Sequence, residues 1–266
     1  MKNSIDTNTY SKTELALSDA GLSPTFETYA TDELGHIRNV HIAEERPLTI
    51  FLGNQEIVTL MTLGTHPELL ALGYLRNQGL TEHLEDIASV KVDWNRERAQ
   101  VQLIDDGGIA TPRTYQVNDP TAPNLISPKT KFRKTDIYKL LNNVSGANKV
   151  YRTAGGVHGC ALCHNTRILS FIEDIGRHNA ADSIAGYMWL NGIAGADKLL
   201  YCTGRLTSEI IIKAARMNIS LLLSRSGITH LGLELAKDLN ITLIARAKGS
   251  HFLIYHSTDA VLSDTT

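Results

Sequence analysis

Residues 168–255 alternate short apolar runs with stretches of helical periodicity, and this rhythm constrains the fold more than any other feature. The apolar runs include KLLYC at 198–202, SLLLS at 220–224 and ITLIA at 241–245. Such runs, separated by helices, are typical of a mostly parallel sheet covered on both faces, with right-handed crossovers. The pattern predicts an α/β fold with strands at 168–172, 198–202, 220–223, 241–245 and 252–255 and helices at 180–190, 208–217 and 229–239.

The first half of the chain has a different texture and predicts a smaller α+β domain at 21–105. Apolar segments at 46–51 and 57–61 flank Gly53-Asn54, which favours a β-hairpin. Pro67 suits the first turn of a helix that Gly79 would end. The remaining boundaries are a disordered leader at 1–20, a linker or mobile loop at 106–135, a C-terminal α/β domain at 136–258 and a tail at 259–266.

Composition excludes several classes of partner and location. The 266 residues carry a formal net charge of −2, which argues against general electrostatic binding to nucleic acid or to an anionic membrane. The first twenty residues lack the apolar stretch of a signal peptide, and no apolar run reaches the roughly eighteen residues that span a bilayer. Three cysteines do not make a disulfide framework in a chain of this size. We therefore expect a cytoplasmic protein.

Basic side chains follow four of the predicted strands. Arg177, Arg205 and Arg225 come after the first three strands, and Arg246-Ala247-Lys248-Gly249-Ser250 comes after the fourth. Each loop also contains a glycine, and three of them lead into a helix. Close backbone approach, oriented N–H groups and guanidinium forks are what a phosphate group needs. Ligands of open α/β sheets bind at these strand ends, so the pattern predicts a phosphate-bearing ligand.

Cys160 and Cys163 form a CxxC pair with several interpretations. With His164 the pair matches a haem-attachment sequence, which the absence of an export signal disfavours. His158 and His164 could complete a zinc site on spacing alone, although no second CxxC is nearby. A redox pair, a persulfide-carrying thiol and two buried core residues also remain open. Cys202 ends an apolar strand and is expected in the core.

Several blocks resemble the formate dehydrogenase accessory sulfurtransferase family (FdhD), over about residues 40–256. They are FLGNQEIVTLMTLGTHPELLALGYLRNQGL at 51–80, TAGGVH at 153–158, EDIGRHNAAD at 173–182, TGRLTSE at 203–209 with Lys213-Ala214, and SRSGIT at 224–229. The resemblance implies a sulfur carrier that takes sulfur from a cysteine desulfurase as a cysteine persulfide. The sulfur would pass to the molybdenum or tungsten bis-guanine-dinucleotide pterin cofactor before insertion into formate dehydrogenase, whose catalytic subunit is the implied partner.

The resemblance also implies a fold and a binding site. The C-terminal half would be a three-layer α/β/α domain of the cytidine deaminase type, without that enzyme's zinc ligands or any permanently bound metal. The cofactor would bind over the strand ends as a substrate, and the protein could form a homodimer. The resemblance implies that the basic segment at 246–251 contacts the cofactor, in agreement with the strand-end loops. Together they predict the cofactor-binding residues Arg177, Gly204, Arg205, Arg225, Arg246, Ala247, Lys248, Gly249, Ser250 and His251.

The sequence departs from the family pattern in the loop between the two halves. The family's sulfur-carrying cysteines lie there, whereas NLISPKTKFRKTD at 124–136 has no cysteine. The first hypothesis is that Cys160 or Cys163 carries the persulfide, with His158 and His178 handling protons. The alternative is a non-catalytic chaperone that binds the cofactor without carrying sulfur. A zinc-dependent deaminase would suit the fold, but the chain lacks the HxE and PCxxC ligands.

Overall fold

The structure is a computed structural model that describes residues 15–104, 131–258 and 261–262. In the first half lie β1 (Ala16–Leu17), β2 (Thr25–Thr31), β3 (Ile37–Ala43), β4 (Arg46–Leu52), β5 (Gln55–Thr62), α1 (Pro67–Gln78), β6 (Ile87–Asp93) and β7 (Arg98–Leu103). After residue 130 follow β8 (Phe132–Arg133), α2 (Lys134–Ala147), α3 (Lys149–Ala154), β9 (His158–His164), β10 (Arg167–Asp174), α4 (Arg177–Leu190), β11 (Leu199–Cys202), α5 (Ser208–Arg216), β12 (Leu221–Ser224), α6 (His230–Asp238), β13 (Thr242–Lys248), β14 (His251–His256) and β15 (Val261–Leu262).

The second half is built on a six-stranded sheet of order β10-β9-β11-β12-β13-β14, which confirms the predicted α/β class. The expectation that this sheet is mostly parallel is wrong. Only β11–β12 and β12–β13 pair in parallel, whereas β10–β9, β9–β11 and β13–β14 are antiparallel. The physical reason is the short connections of β9 to β10 and of β13 to β14, because parallel neighbours need a long crossover.

Helices cover both faces of this sheet. Residues of α4, α5 and α6 share one buried cluster with alternate strand positions such as Leu162, Leu200 and Leu222. The opposite strand positions, among them Leu199 and Leu221, pack with α2. Successive side chains of a strand point to opposite faces, so each strand supplies both clusters. The result is a three-layer arrangement; its likeness to cytidine deaminase stays a prediction.

The first half confirms the predicted hairpin and helix. Strands β4 and β5 pair across Gly53, which adopts the left-handed φ of 56° that the turn needs. Helix α1 begins at Pro67 and ends at Gly79, whose φ is 66°. The sheet of order β1-β6-β7-β4-β5 packs its apolar face on α1, while β2 and β3 form a separate hairpin.

The structure corrects three predicted boundaries. Residues 1–14 of the predicted leader lie outside the described residues, but Ala16–Leu17 pair with β6. Residues 106–130 of the predicted linker also lie outside them, whereas Phe132–Arg133 form β8 and α2 already begins at Lys134. The predicted tail contributes Val261–Leu262, which pair with β8. These two-residue strands are too short to give a periodic signal.

The two halves share a tightly packed helix crossing. A Cβ atom built on Gly73 of α1 would lie 1.7 Å from the carbonyl oxygen of Asp182 in α4. One built on Gly186 of α4 would lie 2.0 Å from the carbonyl oxygen of Leu69. Trp189 of α4 packs against the core of the first half. The backbones of α1 and α4 therefore approach more closely than any residue other than glycine allows.

Buried hydrogen bonds fix the start of α4 against the first half. The carboxylate of Asp174 accepts from Thr62 Oγ1 at 2.5 Å and from Asn179 Nδ2 at 2.9 Å. Asn179 also donates to the carbonyl oxygen of Met61 at 2.7 Å. Burial raises the pKa of Asp174, and the donated hydrogen bonds oppose that effect. This network determines where the residues after Asp174 lie.

Candidate functional site

Four strands of the large sheet end at the same edge. Strand β9 is antiparallel to both β10 and β11, so β10, β11, β12 and β13 run in one direction. Strand β9 begins where β10 ends, with His158 opposite Asp174. We call this side of the sheet the strand-end edge. It carries the candidate residues His158, Arg177, His178, Gly204, Arg205, Arg225, Arg246, Ala247, Lys248, Gly249, Ser250 and His251.

Two helices begin at this edge without a side-chain cap. The N-cap residues of α4 and α5 are Gly176 and Thr207, and neither accepts a capping hydrogen bond on its side chain. In α6, by contrast, Thr229 accepts from the backbone N–H of Gly232. Uncapped helix starts present free N–H groups and a positive dipole end, which is a favourable setting for an anion.

Nε of Arg177 and Oγ1 of Thr207 are buried polar atoms beside these helix starts that have no hydrogen-bond partner among the described residues. Nδ1 of His178 also forms no hydrogen bond of good geometry there, although it lies against the carboxylate of Glu209. A buried donor without a partner costs free energy, which a bound acceptor removes. The residues present therefore fit an anionic ligand at the strand-end edge.

Arg177 lies across the loop that follows β11. A Cβ atom on Gly204 would lie 2.6 Å from Cδ of Arg177, so only glycine leaves room for this side chain. The carbonyl oxygen of Gly204 accepts from Ser224 Oγ at 2.7 Å, which ties this loop to the next. The structure thus brings the loops after β10, β11 and β12 into contact.

His158 lies among the positively charged side chains of the strand-end edge. Its Nδ1 lies 3.3 Å from Thr203 Oγ1. Burial lowers the pKa of His158, and the positive charges of Arg177, His178 and Arg205 lower it further. A neutral imidazole therefore faces the basic groups at neutral pH.

His178 starts a chain of charged groups that leads into the core. Its Nδ1 lies 3.1 Å from Oε2 of Glu209, and Oε1 of Glu209 lies 3.7 Å from Nζ of Lys213. Nζ of Lys213 donates to both carboxylate oxygens of Asp182, at 2.6 and 2.7 Å. Asp182 also accepts from Asn77 Nδ2 at 2.7 Å. The contact with His178 lowers the pKa of Glu209, so an ionised carboxylate faces the imidazole.

The remaining basic residues are more exposed. The guanidinium of Arg225 lies 5.7 Å from the ring centroid of Tyr151. The backbone N–H of Arg246 donates to the carbonyl oxygen of Ser226 at 2.7 Å, which brings the 246–251 segment to the same edge. Ala247 is buried in the cluster below α2, so only its backbone can contact a ligand. The exposed residues of this segment are Arg246, Lys248, Gly249, Ser250 and His251.

Cys160 and Cys163 lie in β9, a strand that sequence reasoning did not place. Both side chains are 0% exposed, and they point to opposite faces of the sheet. Sγ of Cys160 lies 3.7 Å from the carbonyl oxygen of Arg177, directly below the strand-end edge. Burial raises the pKa of Cys163 to about 12, and the pKa of Cys160 is also raised. Opposed in this way, the two thiols cannot bind one metal ion or form a disulfide with each other.

Sequence reasoning missed three residues of this region. Thr207 lies before a helix start and could have been identified as an N-cap from the Thr-Ser pair at 207–208. Glu209 contacts His178, which depends on the approach of α4 to α5 and leaves no sequence signal. Cys202 was expected only as core, yet it lies directly opposite Cys160 in the sheet.

The described part of the chain contains no candidate metal centre and no candidate membrane span. No group of three or more His, Cys, Asp or Glu side chains within residues 15–104, 131–258 and 261–262 is arranged to hold a metal ion. In the same ranges, no helix combines the length and apolar character needed to cross a membrane.

Comparisons with known proteins relate this chain to a family. Residues 43–262 match the model of the FdhD/NarQ family. The chain is 31% identical over 241 residues to the sulfur carrier protein FdhD of Bacillus subtilis, covering 84% of this chain and 92% of that protein. It is 29% identical over 250 residues to the protein of the same name from Halalkalibacterium halodurans, covering 88% and 93%. A crystal structure from Desulfotalea psychrophila, described as a formate dehydrogenase accessory protein, superposes with a TM-score of 0.76 at 27% identity, covering 90% of this chain and 98% of that one.

Proposed function

The chain belongs to the FdhD/NarQ family, and on that premise we propose that it is an accessory protein of formate dehydrogenase. Its task is to bind the molybdenum or tungsten bis-guanine-dinucleotide pterin cofactor as cargo before insertion into the catalytic subunit. The observation that carries the proposal is the strand-end edge, where two uncapped helix starts meet basic side chains from several loops.

Each group at the edge has a role in this proposal. Arg177, Arg205, Arg225 and Lys248 bind the pyrophosphate oxygens through charge-assisted hydrogen bonds. The N–H groups that start α4 and α5 approach the same oxygens, and Nε of Arg177 and Oγ1 of Thr207 gain partners. The neutral His158 and the carboxylate-held His178 are the groups able to exchange a proton with the ligand.

Guanosine diphosphate (GDP) is the probe for this proposal, because it carries the base and pyrophosphate of one half of the cofactor. We expect isothermal titration calorimetry to show binding, and Arg205→Ala to weaken it about 10- to 100-fold. That is the effect of one hydrogen bond to a charged group, worth roughly 1.5–3 kcal/mol. The matched control is Arg96→Ala, a side chain 80% exposed in the β6–β7 turn. No GDP binding by the wild-type protein, or equal losses in both variants, would contradict the proposal.

The geometry favours a binding protein that does not carry sulfur. The chain has three cysteines, and all three are buried. A thiol that receives sulfur from a desulfurase must meet a second protein's reactive cysteine, and a thiolate rather than a thiol reacts. Cys160 and Cys163 are fully buried and have a raised pKa, so they meet neither condition. Cys202 has a lowered pKa, but it is equally buried and cannot meet a second protein.

A second candidate function is sulfur transfer through a persulfide on Cys160 or Cys163. This function is favoured by the name sulfur carrier protein, which the relatives from Bacillus subtilis and Halalkalibacterium halodurans both have. The experiment is incubation with a cysteine desulfurase and free cysteine, followed by mass spectrometry of cysteine peptides. One added sulfur atom on the Cys160 or Cys163 peptide would establish the carrier. Unmodified peptides, together with GDP binding, would mean that the protein is a cofactor-binding chaperone that carries no sulfur.

A further inference from the structure

Cys160 and Cys202 face each other across strands β9 and β11. The strand register pairs them directly, and both side chains belong to the cluster below α4 and α5. The pKa of Cys160 is raised and that of Cys202 is lowered, in both cases chiefly through the influence of the other thiol. Cys160 and Cys202 are therefore cross-strand neighbours whose side chains enter the same buried cluster.

The backbone hydrogen bonds between β9 and β11 show which type of antiparallel pair Cys160 and Cys202 form. The next residue, Thr203, donates its N–H to the carbonyl oxygen of Gly159 at 2.9 Å. The carbonyl oxygen of Cys202 accepts from Arg225, on the opposite side from β9. Cys160 and Cys202 are therefore a non-hydrogen-bonded pair, whose Cα atoms are typically about 4.5 Å apart with converging side chains. This separation is within the roughly 4.4–6.8 Å that a disulfide spans.

From this geometry we propose that Cys160 and Cys202 are a redox-active dithiol, which a small peroxide oxidises to a disulfide across β9 and β11. Cys163, three residues along β9, faces the other cluster and has no sulfur partner there. The site is thus a pair distinct from the CxxC pair that the sequence presents.

The reaction proceeds in two balanced steps. The thiolate of Cys202 attacks one peroxide oxygen, the O–O bond breaks, and a sulfenic acid and hydroxide form. The thiol of Cys160 then attacks the sulfenyl sulfur, the S–O bond breaks, and the departing hydroxide takes the Cys160 proton as water. Two electrons pass from the thiols to the peroxide. Cys202 reacts first because its neighbour Cys160, the backbone N–H of Gly204 and the charge of Arg177 lower its pKa, against the opposing effect of burial.

Oxidation would also change the strand-end edge, a consequence that rests on the proposed function. Cys202 directly precedes the loop that contains Gly204, and Cys160 donates a hydrogen bond to the carbonyl oxygen of Arg177. The disulfide removes this S–H donor, so the start of α4 at Arg177 loses an anchor. The oxidised protein should therefore bind GDP about two- to tenfold more weakly, the effect of one neutral hydrogen bond.

The decisive experiment is a peptide map of the native wild-type protein after hydrogen peroxide treatment. Remaining thiols are alkylated in denaturant before digestion and mass spectrometry. We expect a peptide containing Cys160 linked to one containing Cys202, lighter by two hydrogen atoms, and an alkylated Cys163. The link should be reversed by dithiothreitol. Three alkylated cysteines, a link to Cys163, or oxidation of either thiol beyond the sulfenic acid without a link would overturn the proposal.

Matched variants separate the dithiol from its consequence. Cys163→Ser should form the same link as the wild type, whereas Cys160→Ser and Cys202→Ser should not. The wild-type map decides the proposal even where a buried serine prevents folding. Equal GDP affinity of the reduced and oxidised protein would overturn the coupling to the edge. No GDP binding by the reduced protein would overturn the proposed function and leave the disulfide result intact.

Discussion

At the scale of single residues, the segment 173–182 performs two tasks at once. Arg177 and His178 lie at the strand-end edge, whereas Asp174, Asn179 and Asp182 bind the first half or the interior of the second. The polar residues that attract attention in the sequence are therefore partly structural. Their burial means that they position the ligand-facing side chains rather than contact a ligand.

The buried ion pair between Lys213 and Asp182 leads to a stability prediction. Both residues are at most 2% exposed, so Lys213→Met leaves a carboxylate buried with Asn77 as its remaining donor. We expect a loss of about 3–5 kcal/mol in the free energy of unfolding, because an unpaired buried charge keeps its desolvation cost. Urea denaturation followed by circular dichroism measures this loss.

The control for that experiment is the exposed ion pair between Lys237 and Glu234. Their side chains are 49% and 48% exposed, and their atoms lie 3.0 Å apart. Lys237→Met should change the free energy of unfolding by less than about 1 kcal/mol, the value of a solvated pair. Similar losses in the two variants would mean that the Lys213 pair is not shielded from water.

His158 provides a pH prediction. Burial and the positive charges of Arg177, His178 and Arg205 disfavour its protonated form and lower its pKa. A bound anion supplies negative potential, so GDP should raise the pKa of His158 towards its ordinary value, and binding should strengthen as pH falls. Nuclear magnetic resonance titration of the imidazole with and without GDP measures the shift. Arg205→Ala should raise the pKa of His158 in the free protein; a lower pKa in either case would contradict the electrostatic account.

At the scale of elements, the CxxC segment shows how a motif can mislead. The run GCALC is short and flanked by a Gly-Gly turn, so it reads equally well as a loop with reactive thiols or as a buried strand. In the structure this run is a buried strand, because β9 is hydrogen bonded to β10 on one side and to β11 on the other. The pleat then separates the two thiols.

The crossing of α1 with α4 predicts opposite effects for similar substitutions. Gly73→Ala and Gly186→Ala place a methyl group about 2 Å from a carbonyl oxygen of the facing helix, so each should destabilise the protein by about 1–3 kcal/mol. Gly146→Ala in α2 meets no atom within 4 Å and should stabilise it by roughly 0.5–1 kcal/mol through helix propensity. Thermal unfolding of the three variants measures both signs. If Gly73→Ala left the stability unchanged, the two helices would have to be able to move apart.

At the scale of the whole molecule, charge is distributed very unevenly. The net charge is −2, yet the strand-end edge gathers several arginines, a lysine and three histidines. The net charge gives no indication of this basic group, because it sums over the whole chain and the group is local. The same sheet that positions the basic loops is held to the first half by α4.

The shared crossing predicts that both halves unfold together. Because α4 belongs to the second sheet and Trp189 packs into the first core, one half cannot unfold without exposing the other. Scanning calorimetry should therefore show a single transition whose calorimetric and van't Hoff enthalpies agree. Gly186→Ala should lower that transition without dividing it. Two separate peaks in the wild-type protein would contradict the shared core.

The sequence by itself determined the α/β class, most helix and strand positions and the basic loops at the strand ends. Local periodicity and turn residues carry that information, and the family resemblance rests on the same blocks. Only the tertiary structure decided the direction of β9, the burial of all three cysteines and the partnership of Cys160 with Cys202. Those properties depend on which strands pair and which face each side chain takes. Contacts between residues distant in the chain determine both, and a linear pattern does not record them.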